Sequence, residues 1–94
     1  MSDKSDSAAE AVLAELGQVV RATRIAKHLT QAELSARSGL SRDTVSRLER
    51  GAPVDTSTLA RLATALGCRI ELRRIQWRAA DIRRKYAHLH EDAE

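Results

Sequence analysis

Five neighbouring side chains, Arg42, Asp43, Ser46, Arg47 and Arg50, could do binding chemistry if a single helix carries them. At about 100° per residue they fall within an arc of roughly 140°, with Thr44, Val45 and Leu48 on the opposite side. Three guanidiniums, a carboxylate and a hydroxyl then share one face. A guanidinium is a planar fork that donates two parallel hydrogen bonds. Arg42 and Arg47 therefore each suit the O6/N7 acceptor pair that guanine presents in a DNA major groove, or the oxygens of a phosphate. Asp43 has two readings: it accepts from a cytosine amino group, or it orients Arg47 from one turn earlier.

Bond-making chemistry finds little support. His88 and His90 are two positions apart and diverge on a helix, and His28 is remote in sequence, so no metal is expected. The lone Cys68 excludes an intrachain disulfide and a thiolate-rich zinc site, and reads as a small buried hydrophobe. No nucleophile–base pair, carboxylate couple or Gly-rich phosphate loop stands out, so neither an enzyme nor a cofactor is expected.

The elements that must hold the Arg-rich face follow from caps and periodicity. Ninety-four residues suffice for one domain, and Trp77 and Tyr86 are the sole aromatics in an Ala- and Leu-rich chain, which favours an all-helical core. Residues 1–6 are polar and read as a disordered N-terminus. Ser7 and Glu10 have capping-box spacing, and Val12, Leu13, Leu16, Val20 and Ile25 continue a helix over about residues 8–28, although Gly17 counts against its continuity. Thr30 and Glu33 form a second capping box opening a helix over 31–38, with Ala32, Leu34 and Ala36 as its buried positions. Gly39 supplies a left-handed residue, and Ser41 caps a helix running to Arg50, closed by Gly51. After Pro53, Asp55 or Thr56 caps a helix to Leu66 with Leu59, Leu62, Ala63 and Leu66 inward. Arg69-Ile70-Glu71-Leu72-Arg73 then alternates with period two, as a strand does, and needs a partner that a second copy could supply. Ile75, Ala79, Ile82, Tyr86 and Leu89 recur at helical spacing and predict an amphipathic helix over about 77–90. The domain limits are thus 1–6, 7–67 for a helix-turn-helix unit, 68–76 for the strand segment, and 77–94 for the final helix and acidic tail.

Residues 16–66 resemble the lambda-repressor-like, Xre-type helix-turn-helix family. The likeness rests on Thr30-Gln31-Ala32-Glu33-Leu34, Gly39-Leu40-Ser41, the run Val45 to Gly51, and Leu59 to Gly67. It implies a mainly α bundle whose helix from Ser41 to Arg50 enters the major groove. It also implies that Arg42, Asp43, Ser46 and Arg47 read bases, and that Thr30, Gln31, Arg50 and Ser57 contact phosphates. Gln31 would in addition buttress the reading helix, and Arg24 and Glu49 would form a structural ion pair. Thr23 departs from the family, which usually places a larger apolar residue there. Cys68 to Arg73 is similar to the dimerising strand of HipB-like antitoxin repressors, which implies a homodimer joined through Ile70 and Leu72, an inverted-repeat operator and a cognate toxin as partner.

The charge distribution agrees with a polyanionic partner. Residues 17–85 carry a balance of +9, against −3 in 1–16 and −3 in 86–94, and Arg outnumbers Lys 13 to 3. No run is apolar enough for a membrane span and the first residues lack the layout of a signal peptide, so the expectation is a cytoplasmic, nucleoid-associated protein. The expected function is a DNA-binding transcriptional repressor, and within that the antitoxin of a type II toxin–antitoxin pair. The alternatives are a stand-alone regulator without a toxin, and an interaction protein that chiefly neutralises a toxin. The 77–90 stretch stays open between packing on a domain, binding a toxin and adding phosphate contacts.

Overall fold

The computed structural model describes residues 4–73, and their side chains from residue 7. Four helices follow one another: α1 (Lys4–Ala26), α2 (Gln31–Ser38), α3 (Arg42–Glu49) and α4 (Thr56–Ala65). Their starts are set by side chains that satisfy first-turn N–H groups. Thr30 Oγ1 accepts from the Glu33 amide at 3.0 Å, while Glu33 accepts from the Thr30 amide at 2.8 Å. Ser41 caps α3 by accepting from the Thr44 amide at 3.0 Å. Asp55 caps α4 by accepting from Thr58 at 2.7 Å. Gly39, at φ 74°, closes α2 in the left-handed region, and its amide donates back to Ser35.

The core lies where the helices converge. Leu34 of α2, Val45 and Leu48 of α3, and Leu62 of α4 are fully or almost fully buried, with Val20, Leu29 and Leu66 completing the cluster. Leu16, Leu40, Val54 and Leu59 pack on its margin. Burying a Leu or Val side chain contributes about 1.5–3 kcal/mol, and each of these three short helices supplies at least one such anchor.

Several expectations are corrected. Helix α1 begins at Lys4, inside the stretch expected to be disordered, so Ser7 lies within the helix and does not cap it. Its other end falls at Ala26, two residues short of the expected limit, and His28 turns the chain at a left-handed φ of 60°. Gly17 does not interrupt α1. Instead the helix meets the end of α3 there: a β-carbon at residue 17 would lie 2.5 Å from the Leu48 carbonyl oxygen and 2.8 Å from that of Glu49. Ala32 and Ala36 are exposed, leaving Leu34 and Ser38 as the buried residues of α2. The inward face of α1 runs through Leu16, Val20 and Arg24, which leaves Val12 and Ile25, apolar members of the helical pattern, exposed. Cys68 is exposed, its thiol 3.6 Å from the Leu66 carbonyl oxygen.

Residues 68–73 form no strand among the described residues. A strand is defined by pairing, and no other described segment forms a ladder with these backbone groups. The helix expected over 77–90 lies outside the described residues.

Candidate nucleic-acid interface

Helix α3 is anchored on one side and open on the other. Val45 and Leu48 are buried to 0% and 1% exposure, which fixes the rotation of the helix about its axis. Arg42, Asp43, Arg47 and Arg50 are in consequence exposed, and Ser46 is half-buried. Within this face Asp43 and Arg47 approach to 3.7 Å at i,i+4 spacing, with both side chains mostly exposed. Such a pair contributes little to stability, about 0.3–0.5 kcal/mol, so its consequence is to aim Arg47. Arg50 donates through a guanidinium nitrogen to the Ser46 hydroxyl. Both cations are therefore held on the outward face by partners one turn away.

The C-terminal end of α3 is held by a buried polar network. Arg24 donates to Glu49 twice, Nε to Oε2 at 2.7 Å and Nη2 to Oε1 at 3.0 Å, and its Nη1 donates to the Leu29 carbonyl oxygen at 2.8 Å. Gln31 Nε2 donates to Glu49 Oε1 at 3.1 Å. Burial pushes the Glu49 carboxyl up, but the bonds from Arg24 and Gln31 outweigh it and leave it below the ordinary carboxylate range. The bond to Glu49 likewise raises the Arg24 guanidinium. A carboxylate with two donors and a guanidinium with two acceptors satisfy each other where solvent cannot. Helices α1, α2 and α3 are thereby tied at one point.

The turn between α2 and α3 is fixed by two serines whose part was not read from the sequence. Ser35 donates its hydroxyl to the Leu40 carbonyl oxygen, and Ser38 donates to the Ser35 carbonyl at 3.3 Å while accepting from the Leu40 amide at 3.4 Å. A serine in the last turns of a short helix before Gly is the signal that could have found them, because such hydroxyls bond to nearby backbone groups. A shallow cleft lined by Thr44, Arg47, Pro53, Val54 and Thr58 also went unread; it borders the exposed face of α3.

The remaining expected residues fall into two groups. Thr30, at the start of α2, and Ser57, in the first turn of α4, are exposed, and Gln31 is half-buried. Ile70 and Leu72 lie on the irregular segment after α4, with exposures of 53% and 100%.

Two short helices joined at Gly39, the second anchored by its apolar side and presenting a basic face, define a helix-turn-helix protein. A family model described as helix-turn-helix matches residues 20–72, more than half of the chain, and the chain belongs to this family, in its lambda-repressor-like (Xre) form. The domain is a DNA-binding one of the kind that serves transcription regulation. No curated protein and no solved structure matches the chain significantly. Among the described residues, no helix is long and apolar enough to cross a membrane.

Proposed function

We propose that this protein is a sequence-specific transcriptional repressor that binds an inverted-repeat operator as a homodimer, and that it is the antitoxin of a type II toxin–antitoxin pair repressing its own operon. The exposed face of α3 carries this reading: Arg42, Asp43, Arg47 and Arg50 face outward from a helix whose opposite side is locked into the core. In a major groove, Arg42 and Arg47 each donate to guanine O6 and N7, and a good bidentate contact discriminates by about 1–3 kcal/mol. Asp43 keeps Arg47 aimed, and Ser46 contacts a base edge alongside.

Backbone contacts flank this face. Gln31 spends one amide N–H on Glu49 and directs the other to a phosphate. The Thr30 hydroxyl, which accepts from Glu33, keeps its proton for a second phosphate oxygen. Arg50 and Ser57 complete the set. Occupancy of the operator by this face is the means of repression in this reading.

The exposed Ile70 and Leu72 support dimerisation through 69–73. Two copies pairing there supply each other's missing backbone hydrogen bonds and cover both apolar faces. The two-fold axis then sets the α3 helices on half-sites about 34–36 Å apart, or a multiple of that. The antitoxin reading rests on the likeness of this segment to the dimerising strand of HipB-like repressors.

Two assays test the proposal. Selection of bound duplexes from a random pool should return an inverted repeat; a pool that stays random would remove the specific-repressor reading. Co-purification with the product of the adjacent gene should recover a stable complex that suppresses that product's toxicity. If no complex forms, and deleting the gene leaves growth unchanged, the protein is a stand-alone regulator.

A further inference from the structure

The segment after α4 sorts its charges from its apolar residues. Glu71 takes the Arg69 guanidinium at 3.3 Å and that of Arg73 at 3.6 Å. These three therefore share one side, as alternate residues of an extended chain do, and that side reads plus, minus, plus. Cys68, Ile70 and Leu72 hold the other alternate positions, and all six residues are exposed. The Gly67 and Cys68 amides close α4 by donating to the carbonyls of Thr64 at 3.0 Å and Ala63 at 2.8 Å. From Arg69 to Arg73 the backbone makes no such bond among the described residues.

We infer that two copies of the chain pair antiparallel through this segment with Ile70 on the two-fold axis, so that Arg69 of each faces Glu71 of the other. The inference rests on the homodimer reading above and adds its register. A two-fold axis makes every contact twice, residue i on j and j on i, and residues directly opposite in an antiparallel ladder share a face. A charged residue on the axis faces its own copy, like against like, which excludes Arg69, Glu71 and Arg73. Within 69–73 that leaves Ile70 and Leu72. With Leu72 on the axis, Glu71 meets the partner's Arg73, but Ile70 meets the partner's Arg74, a guanidinium on the apolar face. With Ile70 on the axis, both facing charge pairs are opposite in sign, Ile70 meets its own copy, and Leu72 meets the partner's Cys68. The phase of the ladder follows from the amides. Arg69 and Glu71 can each exchange two backbone bonds with the facing residue, using free amides alone. The opposite phase would call on the Cys68 amide, which is already spent on Ala63. Ile70 then forms a non-hydrogen-bonded pair with its copy, the closer kind, at about 4.5 Å between Cα atoms.

Disulfide trapping reads the register directly. In the full chain carrying Cys68→Ser, Ile70→Cys, Glu71→Cys and Leu72→Cys are introduced one at a time, and mild oxidation is followed on a non-reducing gel. Ile70→Cys should cross-link about tenfold faster than the other two or more, because a residue on the axis meets its own copy within disulfide reach. Faster cross-linking at Glu71→Cys or Leu72→Cys would overturn the register and leave the dimer standing. Equal rates at all three positions, with a dimer mass in sedimentation, would move the interface away from 69–73 and overturn the proposal. A monomer mass for the unaltered protein would remove the homodimer reading itself, and the register with it. Charge reversal checks the same facing without a cysteine. Arg69→Glu alone and Glu71→Arg alone should each weaken dimerisation about tenfold, and the two together should recover most of it. A double variant as weak as either single one would show that Arg69 and Glu71 do not face each other.

Discussion

At Glu49, charge, burial and helix placement meet on one side chain. Its carboxylate takes both Arg24 bonds and the Gln31 bond, so Glu49→Gln leaves a buried guanidinium without its counter-charge. Breaking a buried pair by removing one partner typically costs about 3–5 kcal/mol. Urea unfolding should show a loss of that order, whereas Asp43→Asn, which alters the exposed pair, should change stability by less than about 0.5 kcal/mol. The pH dependence follows from the same groups. Glu49 is held low by Arg24 and Gln31 against the upward push of its burial. Glu33 is lowered by the backbone and hydroxyl bonds from Thr30, and Asp55 by those from Thr58. A carboxylate with a depressed folded-state pKa stabilises the fold above its unfolded value, about 4, and that stabilisation is lost as pH falls through the folded value. The urea midpoint should therefore stay level from pH 7 to about 5 and drop below about 4. A midpoint that rises on acidification would contradict these assignments.

Among the elements, the α1–α3 crossing is the most sensitive point. Alanine is the better helix former, so propensity alone gives Gly17→Ala a gain of about 1 kcal/mol. The new β-carbon, however, would meet the Leu48 carbonyl at 2.5 Å, and overpacking costs about 1–3 kcal/mol. We expect net destabilisation together with weaker DNA binding, because α1 can yield only by shifting α3. A more stable Gly17→Ala protein would mean that the crossing is looser than described. This crossing also marks the limit of what the residue pattern reveals. Helices α2, α3 and α4 were legible because Thr30, Ser41 and Asp55 carry their caps and Gly39 their turn, all of them local signals. The outward turn of Arg42, Asp43 and Arg47 was legible from angles alone, since a helix with Val45 and Leu48 inside has one rotation. Gly17 was misread because its reason lies in the distant end of α3, which no local pattern records. Ala32 and Ala36 were misplaced because alanine is at home on either side of a helix. The start of α1 at Lys4 was missed because the Ser7–Glu10 spacing imitates a cap within a helix that is already formed.

The whole molecule is proposed to be half of a reader. Leu72, at 100% exposure near the half-exposed Ile70, has no apolar neighbour covering it among the described residues. Leu72→Asp should shift sedimentation from dimer to monomer mass while the helical circular dichroism signal persists; an unchanged dimer mass would reject pairing through 69–73. Loss of the dimer should also reduce specific affinity far more than non-specific affinity, because one α3 helix reads a single half-site. The most direct test of recognition by α3 is fluorescence anisotropy titration of Arg42→Ala and Arg47→Ala, each on the selected inverted repeat and on a random duplex across a range of salt. The account predicts that each variant loses its preference for the repeat, by roughly tenfold or more per bidentate contact removed, and keeps salt-sensitive binding to random DNA. Equal weakening on both duplexes would show that these arginines only attract phosphate, and the claim that this face of α3 reads sequence would fall.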